Sequence, residues 1–483
     1  MINLEPSIYG IALHWTLVIG ISLRVIMRQP PVGAALAWIT IVATTPFLGA
    51  AIYVMFGERR IGRGRAARIL ADAQMLRDWQ NQLGTQSVAA TAQLNVDALS
   101  LSRHATFSRG YPVLGGNEIT LLADENRVFD QLVIDIDSAQ RSCQLGFYIW
   151  DEQGRSSDVV NALIRAARRG VTCQALADSI GSQAFLRSES VQRLRDAGVA
   201  LSAAMPTGPI RALFVRRDLR NHRKIAVIDD AIAYTGSQNL VDPRFFKRGA
   251  KVGQWVDAMV RITGPTAVAL KAVFMQDWIL ENDQRWVLDD VPPLPDSQAT
   301  SGTRIQVVPS GPDQHYDGID KLLLTAIYGA HRSLVMTTPY FVPDDSILTA
   351  LISAARQQVD VTLIVPARND SLFVRFAGVA NFDRLLDAGV KIARFEDGLL
   401  HTKSLIVDGE LSLFGSVNLD MRSLWLNFEI SLFVYDRDFT ARLNALHDDY
   451  LSRSTLLDSK TWQARPHWHR LAENTFRLLG PLL

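Results

Sequence analysis

The feature that most narrows the fold of this chain is an internal repeat, because the same series of sequence blocks occurs twice in the same order. Residues 142–178 and 333–367 each begin with an apolar, strand-like run that ends at an aromatic residue (Tyr148; Tyr340). A helical stretch with Ala-Ala-Arg comes next in each (Ala166 to Arg168; Ala354 to Arg356), and then a second apolar run. LRDAGVA (Leu194 to Ala200) is answered by LLDAGVK (Leu385 to Lys391), and HRKIAVIDDAIAYTGSQN (His222 to Asn239) by HTKSLIVDGELSLFGSVN (His401 to Asn418). Short apolar runs alternating with amphipathic helices give an α/β reading. A duplicated α/β unit predicts a pseudo-twofold pair whose axial residues meet in one site. Two independent domains with separate sites are the alternative.

The N-terminal region is apolar. Ile8 to Met27 has His14 and Arg24 as its most polar members, and Gly33 to Phe56 carries no charge. About 20 apolar residues suffice to cross a bilayer, so both segments are read as transmembrane helices, with Pro30-Pro31 turning between them. A signal peptide fits the first segment poorly, since no Lys or Arg precedes Arg24 and Glu5 is acidic. Buried core helices are the other reading. Arg59, Arg60, Arg63, Arg65 and Arg68 come after the second segment and favour the cytoplasmic side for the downstream chain.

The expected organisation is a membrane anchor over 1–60 and a juxtamembrane connector over 61–114. Two α/β domains over 115–290 and 303–450 come next, separated by the Pro- and Ser-rich stretch Val291 to Thr303, and an amphipathic tail covers 451–483. Tail residues Trp468, Leu471, Phe476, Leu478, Leu479, Leu482 and Leu483 lie among Arg465, Arg470 and Arg477. They suit an anionic membrane surface or packing against the preceding domain. Fifty basic against 49 acidic residues, a net of +1, point away from a nucleic-acid partner. Cys143 and Cys173 are too few for a disulfide framework or zinc site and read as buried free thiols. His467 and His469 have no further ligands beside them to make a metal site.

Each copy places His, Lys, Asp, Ser and Asn at i, i+2, i+7, i+15 and i+17. The catalytic set is His222, Lys224, Asp229, His401, Lys403 and Asp408, with the two aspartates expected to tie down a turn rather than take part in chemistry. On a strand, i and i+2 face the same way, so His and Lys stand side by side. A neutral imidazole can attack phosphorus. A second one protonates the departing alkoxide and later deprotonates the incoming alcohol. Lysine ammonium, with Ser237, Asn239, Ser416 and Asn418 as the phosphate-binding set, would hydrogen-bond the non-bridging oxygens. Each His also wants a carboxylate on its other ring nitrogen. The downstream candidates are Asp257, 35 residues after His222, and Glu429, 28 after His401. No G-x4-G-K-[ST] phosphate loop is present.

H-x-K-x4-D and then G-S-x-N, twice in one chain, resembles the phospholipase D superfamily. The whole chain is similar to its bacterial cardiolipin synthase members, through the apolar N-terminal segments, YIWDEQG, ADSIGS (Ala177 to Ser182), TPYFVPDD (Thr338 to Asp345) and the ending RPHWHRLAENTFRLLGPLL. The resemblance implies duplicated phospholipase D-type domains, mixed β-sheets flanked by helices, behind two transmembrane helices. It implies a multi-pass protein of the bacterial inner membrane with its catalytic part on the cytoplasmic side. It also implies a metal-independent, cofactor-free transfer of a phosphatidyl group from one phosphatidylglycerol to another, releasing glycerol and forming cardiolipin. His222 would be the nucleophile and His401 the acid and base, an assignment carried by the family because the repeat itself is symmetric. Other phospholipase D-type enzymes, using water or another alcohol as acceptor, are the alternative.

Overall fold

A computed structural model describes residues 6–478 apart from 46, 59, 63, 70, 72–77, 80–89, 109, 209–214, 217, 283, 285–301 and 313–317. The expected inter-domain stretch (291–303) therefore falls almost wholly outside the described residues, as do much of the connector and Leu479, Leu482 and Leu483. The chain forms two compact units, Met1–Ala67 with Thr207–Leu219, and Arg68–Pro206 with Arg220–Leu483.

In the smaller unit a helix runs over Pro6–Arg28, 23 residues long. It is the one described helix long and apolar enough to cross a membrane. Ile11, Leu13, Ile19, Leu23 and Ile26 are all exposed. Among its described residues only Val18 and Val25 are buried, against the second apolar segment, and a helix left so largely exposed and apolar is not a soluble core helix. The second expected span is not continuous. It is a helix over Val32–Thr44 and another over Leu48–Phe56. Pro46 comes after Thr45 in the sequence, and a residue before proline is driven out of the helical region. Thr45 is accordingly extended, with φ −117° and ψ 91°. At 1.5 Å per residue the two pieces are roughly 20 and 14 Å long, each short of a bilayer's hydrocarbon core.

The larger unit holds the repeat. The first copy supplies β1 (Leu114–Leu122), β2 (Ser142–Phe147), β3 (Thr172–Asp178), β4 (Ala200–Ala204), β5 (Lys224–Ile228), β6 (Ile232–Gly236), β7 (Trp255–Val256) and β8 (Met259–Thr263). The second supplies β9 (Thr303–Ser310), β10 (Ser333–Thr337), β11 (Phe341–Val342), β12 (Asp360–Pro366), β13 (Lys391–Phe395), β14 (Leu399–Leu400), β15 (Ser404–Val407), β16 (Leu411–Gly415), β17 (Leu419–Asp420), β18 (Glu429–Val434) and β19 (Ser454–Leu456). One 15-stranded mixed sheet runs β4-β3-β2-β5-β6-β8-β1 and continues as β9-β18-β16-β15-β10-β12-β13-β19. From the antiparallel β1–β9 seam outward the two copies have the same strand order, with β19 added at the second copy's outer edge.

The seam is not a boundary between cores. Ile119 and Val260 of the first copy share a buried cluster with Ile305, Phe414 and Leu443 of the second. The helix over Pro265–Asn282, apolar around nearly its whole circumference and almost entirely buried, packs against strands of both copies. Two independent domains are thereby excluded. The helix over Val96–Phe107, expected in a connector, buries Leu101 and Ala105 in the second copy's core. The expected tail also belongs to that copy: β19 pairs with β13, and Phe476 stacks on Phe376. Trp468, Leu471 and Leu478 remain exposed on its outer face. Cys143 and Cys173 are buried free thiols on facing positions of β2 and β3.

Candidate active site

His222 and Lys224 stand at the start of β5, and His401 and Lys403 at the start of β15, where apolar, β-branched runs enter the sheet. All four are buried, with His222 8% and His401 2% exposed. Each lysine ammonium donates to the backbone carbonyl two residues back, Lys224 Nζ to His222 O at 2.6 Å and Lys403 Nζ to His401 O. Backbone geometry thus holds each His-Lys pair as a unit.

The carboxylates are exchanged between the copies. Within-copy pairing, Asp257 with His222 and Glu429 with His401, is not what the chain adopts. His222 Nδ1 lies 2.9 Å from Glu429 Oε2, and His401 Nδ1 lies 2.6 Å from Asp257 Oδ1. The backbone shows why. His222 N donates to Phe428 O, just before Glu429, and His401 N donates to Val256 O, just before Asp257, each at 2.8 Å. Parallel pairing of β14 with β7, and of Asn221 with Phe428, brings each histidine segment against the other copy's carboxylate segment. Sequence spacing counts along one chain segment and carries no signal for this exchange.

The serines differ from expectation as well. Ser237 donates to Asp257 Oδ1 at 2.6 Å, and Ser416 to Glu429 Oε2 at 2.5 Å. A hydroxyl has one proton, so these side chains fix carboxylates and are not the phosphate donors expected. Glycine precedes each serine for a steric reason. A Cβ on Gly236 would stand 2.5 Å from Ala258 O, and one on Gly415 2.3 Å from Ile430 O. Asn239 accepts from Ile149 N at 3.1 Å and keeps its amide nitrogen buried and unpartnered among the described residues. Asn418 donates to Ser423 Oγ at 3.0 Å.

Asp229 and Asp408 are at the other end of the strands. Asp229 accepts from the N–H groups of Gln140, Arg141 and Ser142, and Asp408 from those of His331, Arg332 and Ser333. Both sit at left-handed φ, +52° and +53°, which aspartate tolerates better than most residues. They tie turns down, so their place in the catalytic set is structural.

Burial pushes each imidazole down to about 4, with the neighbouring lysines adding to the fall and the paired carboxylates opposing it. Burial alone would raise Asp257, but His401 and Lys403 outweigh it and hold the carboxyl at about 2. Glu429 is likewise lowered, against the effect of its burial, by His222 and Lys224. Carboxylate ionised and imidazole neutral is the common result. An ionised carboxylate only accepts, so the ring proton sits on Nδ1 and the Nε2 lone pair is free. Burial lowers Lys224 to about 8 and Lys403 well below its usual range. The two sets share one field: Lys403 acts on His222, and Lys224 on His401.

Aromatic rings wall the site. Tyr148 is 4.7 Å from the His222 ring, and Trp255 and Tyr340 are 4.2 and 6.5 Å from that of His401. The strand-end tyrosines stood out in the repeat, whereas Trp255 did not, because nothing in the other copy answers it. Nor did sequence reasoning find the buried network behind His222, in which Asp277 takes Arg223 at 2.7 Å and Asn221 at 2.8 Å.

The model of the family described as "Cardiolipin synthase, PLD-like domain" matches residues 132–278 and 323–450. The chain belongs to that family. It is 45% identical, over 97% of both chains, to Cardiolipin synthase A of Escherichia fergusonii and to that of Salmonella arizonae. The crystal structure of phosphatidylserine synthase from Haemophilus influenzae shares the fold, with a TM-score of 0.60 at 14% identity, over 80% of this chain and all of that one. Both matched segments of the cardiolipin synthase family model carry one His-Lys pair and one carboxylate, so each imidazole–carboxylate pair is built from both.

Proposed function

We propose that this chain is a cardiolipin-forming phosphatidyltransferase, moving the phosphatidyl group of one phosphatidylglycerol onto the terminal hydroxyl of another with release of glycerol. The observation that carries the reading is the exchange of carboxylates, which gives two imidazoles with free Nε2 lone pairs in one electrostatic environment.

In the first step His222 Nε2 attacks phosphorus, the P–O bond to glycerol breaks, and a phosphatidyl-histidine forms. His401 donates the proton that the glycerol oxygen needs. An incoming phosphodiester brings negative charge next to the lysines and imidazoles, favouring the ammonium form of Lys224 and Lys403 and raising the proton affinity of His401. The ammonium groups and the amide nitrogens of Asn239 and Asn418 stabilise the charge on the non-bridging oxygens. In the second step His401 takes the proton of the second phosphatidylglycerol's hydroxyl, that oxygen attacks phosphorus, and the P–N bond breaks. One phosphodiester replaces another, so no nucleotide is consumed. Acceptor choice requires exclusion of water, which buried imidazoles under an aromatic wall favour. The apolar helix over Pro6–Arg28 supports anchoring in the bacterial inner membrane, and the arginine-rich flank supports a cytoplasmic side for the catalytic unit.

Purified full-length protein given phosphatidylglycerol in detergent micelles, with a chelator, is expected to yield cardiolipin and glycerol in equal amounts. Phosphatidic acid in place of cardiolipin would make the protein a hydrolase. A mixed ester from an added alcohol, with no cardiolipin, would make it a different headgroup transferase.

A further inference from the structure

His14 and Arg24, the most polar residues between Ile8 and Met27, are bound to the second apolar segment and to a residue just beyond it. His14 Nε2 lies 3.2 Å from Ala43 O, a carbonyl in the last turn of Val32–Thr44. Arg24 makes a two-pronged ion pair with Glu58, at 2.5 and 2.8 Å, just beyond the end of Leu48–Phe56. These contacts fix the path of the chain. Arg24 is about one turn from the connector at Gln29–Pro31. A continuous helix from Val32 would carry Phe56 roughly 36 Å from that connector, far outside the reach of Arg24. Instead the segment goes out and returns.

The return is tightly packed. The Trp38 and Tyr53 rings meet edge-on at 5.5 Å, and a Cβ on Gly49 would lie 2.4 Å from Ile41 O. The tip lies at the level of His14, whose ring is 6.2 Å from that of Phe47. That level is roughly 20 Å from Arg28 along the helix, about two-thirds of the hydrocarbon thickness. Non-helical backbone at membrane depth needs its polar groups satisfied within protein. Here His14 takes Ala43 O, Thr44 Oγ1 donates to Thr40 O at 2.8 Å, and Thr45 Oγ1 donates to Ile41 O at 2.5 Å. The hairpin's outer surface, including Val32, Leu36 and Leu48, is exposed and apolar.

We infer that the second apolar segment is a re-entrant wedge that enters and leaves the bilayer on one face, so the chain crosses the membrane once. The inference rests on the reading of Pro6–Arg28 as a span. It places Arg24, Arg28, Arg60 and Arg65 at one membrane face, and no Lys or Arg of the described residues at the other. With two spans, Arg28 would face the opposite side from Arg60. The single-crossing path removes that conflict with the positive-inside rule. The wedge enters from the cytoplasmic face, the face from which the proposed substrates would then be drawn.

The test uses the full chain in cells, with Cys143 and Cys173 buried and silent. Single cysteines are introduced by Ser7→Cys, Gln29→Cys, Val32→Cys and Gln192→Cys, and labelled with a membrane-impermeant maleimide in spheroplasts and in inverted vesicles. The expected result is that Ser7→Cys labels only in spheroplasts, while the other three label only in inverted vesicles. Labelling of Gln29→Cys and Val32→Cys in spheroplasts, with Ser7→Cys protected, gives two crossings and overturns the wedge while leaving the anchor standing. Extraction of the protein by alkaline carbonate removes the span itself and the wedge with it. Two reporters at the connector keep the result readable should one disturb the helix turn.

Discussion

The two copies share a strand order outward from the seam and differ in the segment between the Gly-Ser pair and the carboxylate. Ser237 lies 20 residues before its carboxylate, and Ser416 only 13 before its own. The longer first-copy connection carries Lys247 and Trp255. Lys247 pairs with Asp370 at 2.8 Å, and its ammonium lies 5.3 Å over the Trp255 ring that faces His401. The shorter second-copy connection is a short helix over Met421–Trp425. His401 is consequently the more enclosed of the two imidazoles and His222 the more open. Duplication gives two equal frames, and the loops make them unequal. The His-to-Asn spacing, the same in both, does not register this, whereas the 35 against 28 residues from His to carboxylate do.

The largest expected effect tests that inequality directly. His222→Ala and His401→Ala should each reduce phosphatidyl transfer by about 10⁴-fold or more, as loss of a nucleophile or an acid–base group does. They should part company on a substrate whose leaving group is a nitrophenol, which departs without a proton. H401A should then release a burst of nitrophenol matching the enzyme concentration, and H222A none. A burst from H222A with none from H401A would reverse the assignment.

The carboxylates sharpen the comparison because they act across the seam. Glu429→Gln and Asp257→Asn should each cost about 10²–10⁴ in rate through a misplaced tautomer. With the exchanged pairing, E429Q weakens His222 and suppresses the burst, whereas D257N weakens His401 and preserves it. The opposite pattern would restore within-copy pairing.

Acid should expose the same pairs as a stability effect. Both imidazoles are held at about 4, below the ordinary 6.5. A group whose pKa is lowered on folding contributes its stability fully above its unfolded value. That stability is lost as pH falls from 6.5 towards 4, because the unfolded chain binds the protons first. Thermal unfolding followed by circular dichroism should show stability falling by a few kcal/mol across that window. The double variant H222Q/H401Q should flatten the profile. An unchanged profile would mean that the two groups are not held neutral.

Much of this was legible in the chain. The repeated blocks gave the α/β frame, and i, i+2 spacing on β-branched runs gave the His-Lys pairs. The exchange of Asp257 and Glu429 was not legible, since it arises from β14 lying beside β7 and Asn221 beside Phe428, contacts more than 140 residues apart in sequence. Hydropathy alone merged Val32–Thr44 and Leu48–Phe56 into one span. It weighs Pro46 as mildly polar and does not register its effect on the backbone of Thr45. Serine was misjudged because a phosphate oxygen and a carboxylate oxygen attract the same hydroxyl, and only geometry decides between them.

The smallest effect concerns a feature in which the copies are alike in every described contact. Asp229 and Asp408 each take three consecutive backbone N–H groups from the loop preceding β2 or β10, at left-handed φ. Removing the carboxylate leaves those donors to water and puts a less tolerant residue in the turn. Asp229→Ala and Asp408→Ala should therefore each lower stability by about 1–3 kcal/mol. Asparagine at either site should cost less, since it keeps one acceptor and the same backbone tolerance. The transfer rate of the folded fraction should stay near that of the unsubstituted protein in all four variants. Urea unfolding alongside steady-state assays separates the two quantities. A variant that loses transfer with its unfolding midpoint intact would move that aspartate from the turn into the chemistry.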